Sequence, residues 1–363
     1  HDDAAALGCL APDIEPRATD HIPEMIALME RLIENGHAYA AEGHVLFSTK
    51  SWADYGKFAR KNHDELEAGA RVEVAPYKQD AADFVLWKPS DEDTPGWDSP
   101  WGRGRPGWHI ECSAMSAKHL GEDFDIHGGG LDLIFPHHQN EIAQSCCGNK
   151  GSGFAKYWMH NGYLMSEGEK MSKSLGNFYT VHELLEEFPG EALRLVILQT
   201  HYRKPLDFSK EKLREAKAIL DRLYRVKERI SVCEPDEYLV DLDFEGNFTN
   251  ALLDDLNTPL AISRLFEQVD RLNSLSGLEA AQEGHLFLDN ARLLGILQQD
   301  PVRWFKGHAD DNEAAEIEKL IRQRAEAKQA RDFAAADRIR DELTGRGILL
   351  EDKPGGVTEW KRA

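Results

Sequence analysis

Residues 124–145 read FDIHGGGLDLIFPHHQNEIAQS, and this stretch decides the fold. A short apolar strand around FDIH, a turn of three glycines and a helix opening after Pro136 make a βα unit of an α/β sheet. On that helix His137 and Glu141 are four residues apart and share one face. Such a pair can grip a metal ion, but a tetrahedral zinc site needs further donors. Upstream, PGWHIECSAM (106–115) centres on Cys112. Cys112, His137 and Glu141 then offer a thiolate, an imidazole and a carboxylate, an acceptable set for zinc. A small buried thiol and a solvated HxxxE face would carry the same letters, and His109 and His138 are rival donors by type. His127, beside the glycines, fits a loop or a phosphate-facing role equally well. Gly128, Gly129 and Gly130 allow a nucleotide to approach the backbone closely. Asp132 is placed either to accept from a ribose hydroxyl or to cap a helix.

The chain around this unit has 363 residues, too many for one core, so two or three domains are expected. Apolar content of 41% and charged content of 29% describe a globular protein. No apolar run approaches the roughly 20 residues that span a bilayer, and the start does not read as a signal peptide. No membrane partner is therefore expected. The five cysteines (Cys9, Cys112, Cys146, Cys147 and Cys233) form no disulfide framework, which points to a reducing cytoplasm. Adjacent Cys146 and Cys147 read as two buried free thiols. A net charge of -21 argues against nucleic-acid binding by the whole surface, while leaving room for a local basic face.

Residues 15–36 predict a helix capped at Thr19 or Asp20, with Ile22, Ile26, Met29 and Ile33 as its apolar stripe and Gly36 as its stop. HAYAAEGHVLFS (37–48) alternates like a hairpin turning at Glu42-Gly43. Residues 49–107, rich in Pro, Gly and Trp, read as an irregular insertion. Residues 211–230 and 257–275 are amphipathic and predict a helical bundle. An acidic stretch, 310–316, reads as a linker to a basic helical region, 317–344, and a small hairpin turning at Pro354-Gly355-Gly356. The chain opens at His1, inside DDAAALGCL, which itself reads as helix already under way, so a longer parent protein is expected.

Residues 168–177 read GEKMSKSLGN, two lysines and two serine hydroxyls between glycines. Lys170 and Lys173 can neutralise phosphates, and Ser172 and Ser174 can donate to them. A solvated surface loop is the plainer reading. A chosen five-letter string, however, arises by chance in a chain of this size only about once in 10⁴. KMSKS is the second signature of class I aminoacyl-tRNA synthetases. Together with GWHIECSAM, FDIHGGGLDLIFPHHQNEIAQS and the terminal ARDFAAADRIRDEL and GILLEDKPGGVTEW, the chain resembles the cysteinyl-tRNA synthetases over essentially its whole length.

That resemblance implies a class I synthetase nucleotide-binding (Rossmann-like) fold with an insertion, followed by a helical bundle and a small α+β C-terminal domain. The implied segments are 1–18, a remnant of the first half of the nucleotide-binding fold; 19–107, a connective insertion; 108–160, its second half; 161–210, the lysine loop and stem-contact region; 211–309, the bundle; and 310–363, an anticodon-binding domain. It implies ATP-dependent activation of L-cysteine and transfer to tRNA(Cys), with one Zn²⁺ per subunit and Mg²⁺ accompanying ATP. The family's zinc ligands are two Cys, one His and one Glu. Three fall on Cys112, His137 and Glu141, while the fourth, like the HIGH motif, would precede His1. The 363-residue chain alone is therefore expected not to activate cysteine.

By the same resemblance Trp108 would wall the amino-acid pocket. Gly128, Gly129, Gly130 and Asp132 would line the adenosine site, and Lys170 and Lys173 would hold the leaving pyrophosphate. Arg322, Arg324, Lys328, Arg331, Arg338, Arg340 and Arg346 would face tRNA, with Trp360 stacking on a base and Tyr202 and Arg203 near the stem. A cytoplasmic monomer is implied. Leu131 and Gln139 depart from the family's usual Ser and Glu, which predicts adjusted packing or hydrogen bonding there. Two rivals remain at this point: a ligase joining cysteine to an amino sugar, and a non-catalytic tRNA-binding module derived from a synthetase.

Overall fold

A computed structural model of the chain describes residues 1–61, 75–149, 153–166, 168–171, 178–230, 246–306, 311–353 and 356–362. The chain divides into two compact units. One comprises Ala11–Leu164 with Tyr202–Leu206, the other His1–Leu10, Met165–His201 and Asp207–Ala363.

In the first unit the amphipathic segment forms α1 (Ile22–Glu34), burying Ile22, Met25, Leu28, Met29 and Leu32. The helix starts later than the capping residues predicted. Ala18–Asp20 is a separate turn, His21 occupies the cap position without a side-chain cap bond, and Pro23 presets the first turn. The hairpin β1 (Ala38–Ala41) and β2 (His44–Phe47) turns at Glu42-Gly43 as expected. Both turn residues have positive φ (49° and 74°), the mirror-image turn whose twist suits two-residue hairpins. The stretch 49–107 is less irregular than its composition predicts. FVLW carries a strand, β3 (Phe84–Pro89), that pairs with β2 and with β4 (Gly104–Pro106) in a four-stranded antiparallel sheet. Leu86 and Trp87 are fully buried there against α1 residues.

Next come α2 (Trp108–Leu120), β5 (Phe124–Gly130), α3 (Gln139–Gly148) and β6 (Ala155–Asn161). β5 runs parallel to β6, so the βα reading holds and closes as a βαβ crossover. The three glycines are not a turn, however. Gly128, Gly129 and Gly130 are the end of β5, paired with Met159, His160 and Asn161. A short turn, Leu131–Leu133, and an extended Phe135 (φ −139°, ψ 131°) then lead into the helical backbone that continues as α3.

In the second unit Met165 and Ser166 pair antiparallel with Lys170 and Glu169. Helices α4 (Gly190–Leu198), α5 (Lys210–Ile230), α6 (Asn247–Leu253), α7 (Thr258–Leu272) and α8 (Gly277–Leu293) supply the bundle. Asn257 caps α7 by accepting from Leu260 N. Glu191 of α4, almost fully buried, accepts from Tyr224 OH of α5 (2.7 Å) and from Leu297 N (2.9 Å), tying these helices together.

A short helix, α9 (Pro301–Lys306), precedes α10 (Asp311–Gln329), α11 (Phe333–Gly345) and the hairpin β7 (Ile348–Asp352) with β8 (Thr358–Arg362). Of the expected acidic linker, residue 310 lies outside the described residues and 311–316 begin α10, where Glu313 and Glu316 suit the N-terminal end of a helix. Ile317, Leu343, Ile348 and Trp360 form a small core of their own. Of the hairpin turn, Pro354 and Gly355 lie outside the described residues, as does Cys233. Among the described residues no helix is long and apolar enough to cross a membrane.

Candidate metal and amino-acid site

The site lies in the first unit, where α2 and α3 meet the carboxyl end of β5, the end at which open α/β sheets bind ligands. Hydrogen bonds fix the phase of the two helices. Ser113 Oγ donates to the Glu141 carbonyl (3.3 Å), and Gln144 Nε2 donates to the His109 carbonyl (3.0 Å) and to Ser113 Oγ (2.9 Å). In that phase one donor atom each from Cys112, His137 and Glu141 lies within 4.8 Å of the others. A second group sharing the same carboxylate, His127, His138 and Glu141, meets the same limit. Glu141 is fully buried. Its Oε1 is 3.6 Å from His137 Nε2, while Oε2 is 3.0 Å from His127 Nε2 and 4.0 Å from His138 Nε2. Neither oxygen has an aligned hydrogen-bond donor.

The imidazoles are held from behind. His137 Nδ1 is 2.8 Å from His109 Nδ1, and His138 Nδ1 is 2.8 Å from His160 Nε2, with one nitrogen of each pair donating. Both contacts leave Nε2 facing Glu141, the arrangement of a ligating histidine fixed through its other nitrogen. Burial pushes His109 down to about 4 and His138 down to about 3, and it lowers His137 as well. Burial, reinforced by the carboxylates of Glu141 and Glu111, pushes the Cys112 thiol up to about 12. A buried carboxylate without an aligned donor suits a cation as its partner. One sulfur, one imidazole nitrogen and one carboxylate oxygen fit zinc.

Trp108 is 56% exposed, and its ring stacks on His137 with centroids 4.1 Å apart, so it stands at the margin of the site and not in a core. Gly128–Gly130 end at the same place. A Cβ at Gly129 would come within 2.9 Å of His138 Cε1, so glycine is what admits the imidazole. Asp132 is exposed and caps none of the helical segments that follow. Lys170 lies in the short strand Glu169–Lys170, and Lys173 lies outside the described residues. Gln139, one of the two departures, is fully buried and accepts from Ala59 N (3.2 Å), while Leu131, the other, is exposed. Sequence reasoning left the supporting roles of His109, His127 and His160 unassigned. The density of histidine on β5, β6 and α2 was the available signal. Of the thiols, Cys147 is buried and Cys146 only half-buried, unlike the expected buried pair.

The basic C-terminal residues divide. Arg324, 5% exposed, chelates Asp352 (2.8 and 3.0 Å), Lys328 joins it (2.8 Å), and Arg346 pairs with Glu316 (3.0 Å). Arg322, Arg331, Arg338 and Arg340 are exposed. Arg322 borders a cleft of about 760 Å³ together with Arg222, Arg225, Arg229 and Lys353. Trp360 is 5% exposed and packed in the terminal core, which corrects the expectation that it stacks on a base. Its alternation on β8 turns the indole inward.

Comparison with known proteins gives the family. Residues 1–218 match the class I (C) tRNA synthetase catalytic domain, 247–298 a DALR domain, and 310–360 the cysteinyl-tRNA ligase anticodon binding domain. The chain is 60% identical to the cysteine–tRNA ligase of Paramagnetospirillum magneticum and 58% identical to that of Rhodospirillum rubrum, covering all of this chain and 79% of each relative. The solved methionyl-tRNA synthetase of Mycobacterium tuberculosis, in complex with methionyl-adenylate, aligns over 92% of this chain and 81% of its own with a TM-score of 0.53 at 16% identity, a likeness of fold. With its α/β catalytic fold, its helical bundle and its C-terminal domain all matched, this chain belongs to the cysteine–tRNA ligases, class I enzymes that join cysteine to tRNA at the expense of ATP.

Proposed function

We propose that Cys112, His137 and Glu141 hold a zinc ion that selects the amino acid by its sulfur. The observation that carries this is Glu141: a fully buried carboxylate with no aligned donor, within reach of a thiol and an imidazole. Zinc bound there supplies a soft cation that favours a substrate thiolate over the hydroxyl of serine. The protein's own part is to keep that comparison sharp. His109 and His160 hold the rings of His137 and His138, and Trp108 limits the space beside His137. A contact that recognises sulfur supplies discrimination that an apolar pocket alone cannot, since one hydroxyl-for-thiol change alters shape little.

In the same reading Gly128, Gly129 and Gly130 admit the adenosine moiety and Asp132 accepts from a ribose hydroxyl, supported by their place at the carboxyl end of β5. Lys170 and Lys173 neutralise the leaving pyrophosphate, and Mg²⁺ travels with ATP. Transfer at the α-phosphate asks for positioning and charge stabilisation more than for an acid or a base. Of the seven basic residues expected to face tRNA, Arg322, Arg331, Arg338 and Arg340 are exposed and available to meet it. The segments 19–107, 108–160, 161–210, 211–309 and 310–363 serve as insertion, second half of the nucleotide fold, lysine-loop region, bundle and anticodon-binding domain.

The test is ATP–pyrophosphate exchange by the intact enzyme with cysteine and with serine. Cys112→Ser and Glu141→Ala should each lower cysteine-dependent exchange about 100-fold, the upper end of what loss of a ligand's supporting partner does. Lys173→Ala should lower exchange while leaving tRNA binding intact. Undiminished exchange in Cys112→Ser and Glu141→Ala would remove the basis of the zinc assignment.

A further inference from the structure

Residues 52–61 form a compact strap closed by its own backbone bonds, including Tyr55 N to Trp52 O (3.0 Å) and Lys61 N to Gly56 O (3.0 Å). The strap is fastened to the two residues that immediately precede Glu141. Tyr55 OH donates to Asn140 Oδ1 at 2.6 Å, and Ala59 N donates to Gln139 Oε1 at 3.2 Å. Asn140 and Gln139 are buried, so these bonds are made away from competing water. Burial also pushes the Tyr55 hydroxyl well above its ordinary range, which keeps it a donor.

Two chains of aromatic contacts extend the attachment. The Tyr55 ring packs on Phe84 (6.2 Å between centroids), and Phe84 meets His109 edge-on (5.9 Å), the residue bonded to His137. Phe58 packs on Trp158 (4.4 Å), which lies parallel to His160 (5.9 Å), the residue bonded to His138. The strap thus reaches Glu141 through its helical neighbours and the two imidazoles through rings behind them. None of its residues offers a donor to the Cys112–His137–Glu141 group.

We propose that Tyr55 is a positioning residue: its hydrogen bond to Asn140 sets the approach of the Glu141 carboxylate to Cys112 and His137, and with it the affinity of the site for a thiophilic divalent cation. Outer partners that orient ligands in this way govern metal affinity over about 10- to 100-fold. The inference rests on the assignment of those three ligands. Its signature differs from that of a packing residue, because the phenol ring can be kept while only the hydroxyl is removed.

The experiment measures the zinc dissociation constant of the intact enzyme by competition with a chromophoric chelator, for the wild type, Cys112→Ala, Tyr55→Phe, Asn140→Ala and the Tyr55→Phe/Asn140→Ala double variant. Tyr55→Phe should weaken zinc binding about tenfold. The double variant should bind no more weakly than the worse single variant, because both remove one bond. Melting temperatures in excess chelator identify any variant that has simply lost its fold, and Tyr55→Phe, one oxygen smaller, should melt close to the wild type. A Tyr55→Phe constant within twofold of wild type, or fully additive losses in the double variant, overturns the proposal. Identical zinc binding by wild type and Cys112→Ala would instead show that the ligand assignment itself is wrong, and the proposal would fall with it.

Discussion

Glu141 and Asp352 are both carboxylates among basic or polar neighbours, and they are treated in opposite ways. Asp352, half-exposed, accepts from Arg324 (2.8 and 3.0 Å), Lys328 (2.8 Å) and Thr358 (2.7 Å). Its neighbour Glu351 accepts from Arg225 (2.7 and 2.8 Å) and Lys361 (2.9 Å). Glu141 is fully buried and has no aligned donor, with imidazoles and the Cys112 thiol nearby. The carboxylates of the terminal hairpin are satisfied by cations of α5, of α10 and of the hairpin itself. The histidine-lined site leaves both oxygens of Glu141 without an aligned donor. Polar groups that are buried and unpaired are the mark of a ligand site; those that are paired are the mark of architecture.

The contrast can be broken at Glu141 first, where the largest effect is expected. Glu141→Gln should cost about 100-fold in cysteine activation, yet leave the metal-free protein as stable as before or more so, since a buried carboxylate without an aligned donor adds little stability. A clear fall in the melting temperature of the metal-free protein would contradict the comparison. At the other carboxylate the balance reverses. Asp352→Ala strands Arg324 and should destabilise the terminal unit by about 1–2 kcal/mol, discounted for the exposure of Asp352, with no effect on cysteine activation. Denaturant melts and exchange assays of the same variant check both halves.

Acid sharpens the comparison further. Hydrogen bonds from Arg225 and Lys361 hold the Glu351 carboxyl down to about 2, against an ordinary value of 4.5, and Arg324 and Lys328 hold Asp352 well below its ordinary range. Both carboxyls are depressed, so their contribution is fully present above the ordinary carboxylate range; that of Glu351 is lost as pH falls from about 4.5 to about 2, and that of Asp352 at still lower pH. Stability measured across that window should fall with a slope that Glu351→Gln reduces. An unchanged slope would mean these bonds do not hold in solution. The smallest effect belongs to Lys57, whose partner Asp54 is exposed. Lys57→Ala should change stability by no more than about 0.5 kcal/mol, as exposed pairs do.

Much of this was legible from local pattern. The Glu42-Gly43 hairpin and the amphipathic helices α5 and α7 follow from turn chemistry and helical spacing, and both stand where expected. The i, i+4 spacing of His137 and Glu141 and the placement of Cys112 one helix earlier were enough to nominate three residues that do converge. What failed was non-local. Three glycines have no side-chain periodicity, so only the pairing of β5 with a strand some thirty residues later shows them to be extended. Trp360 was read as an exposed aromatic, although its register opposite Leu350 places it on the buried face of the hairpin. His127 and His160 join the site through parallel strand pairing, and Tyr55 through a strap some eighty residues before Asn140, distances that no local window spans.

The most direct test of the central claim is the zinc content of the intact enzyme after equilibration with the metal and removal of excess. One zinc per chain is expected, with none retained by Cys112→Ala or Glu141→Ala and full occupancy in Asp352→Ala. Full occupancy in Cys112→Ala and Glu141→Ala, or no zinc in the wild type, would contradict the account.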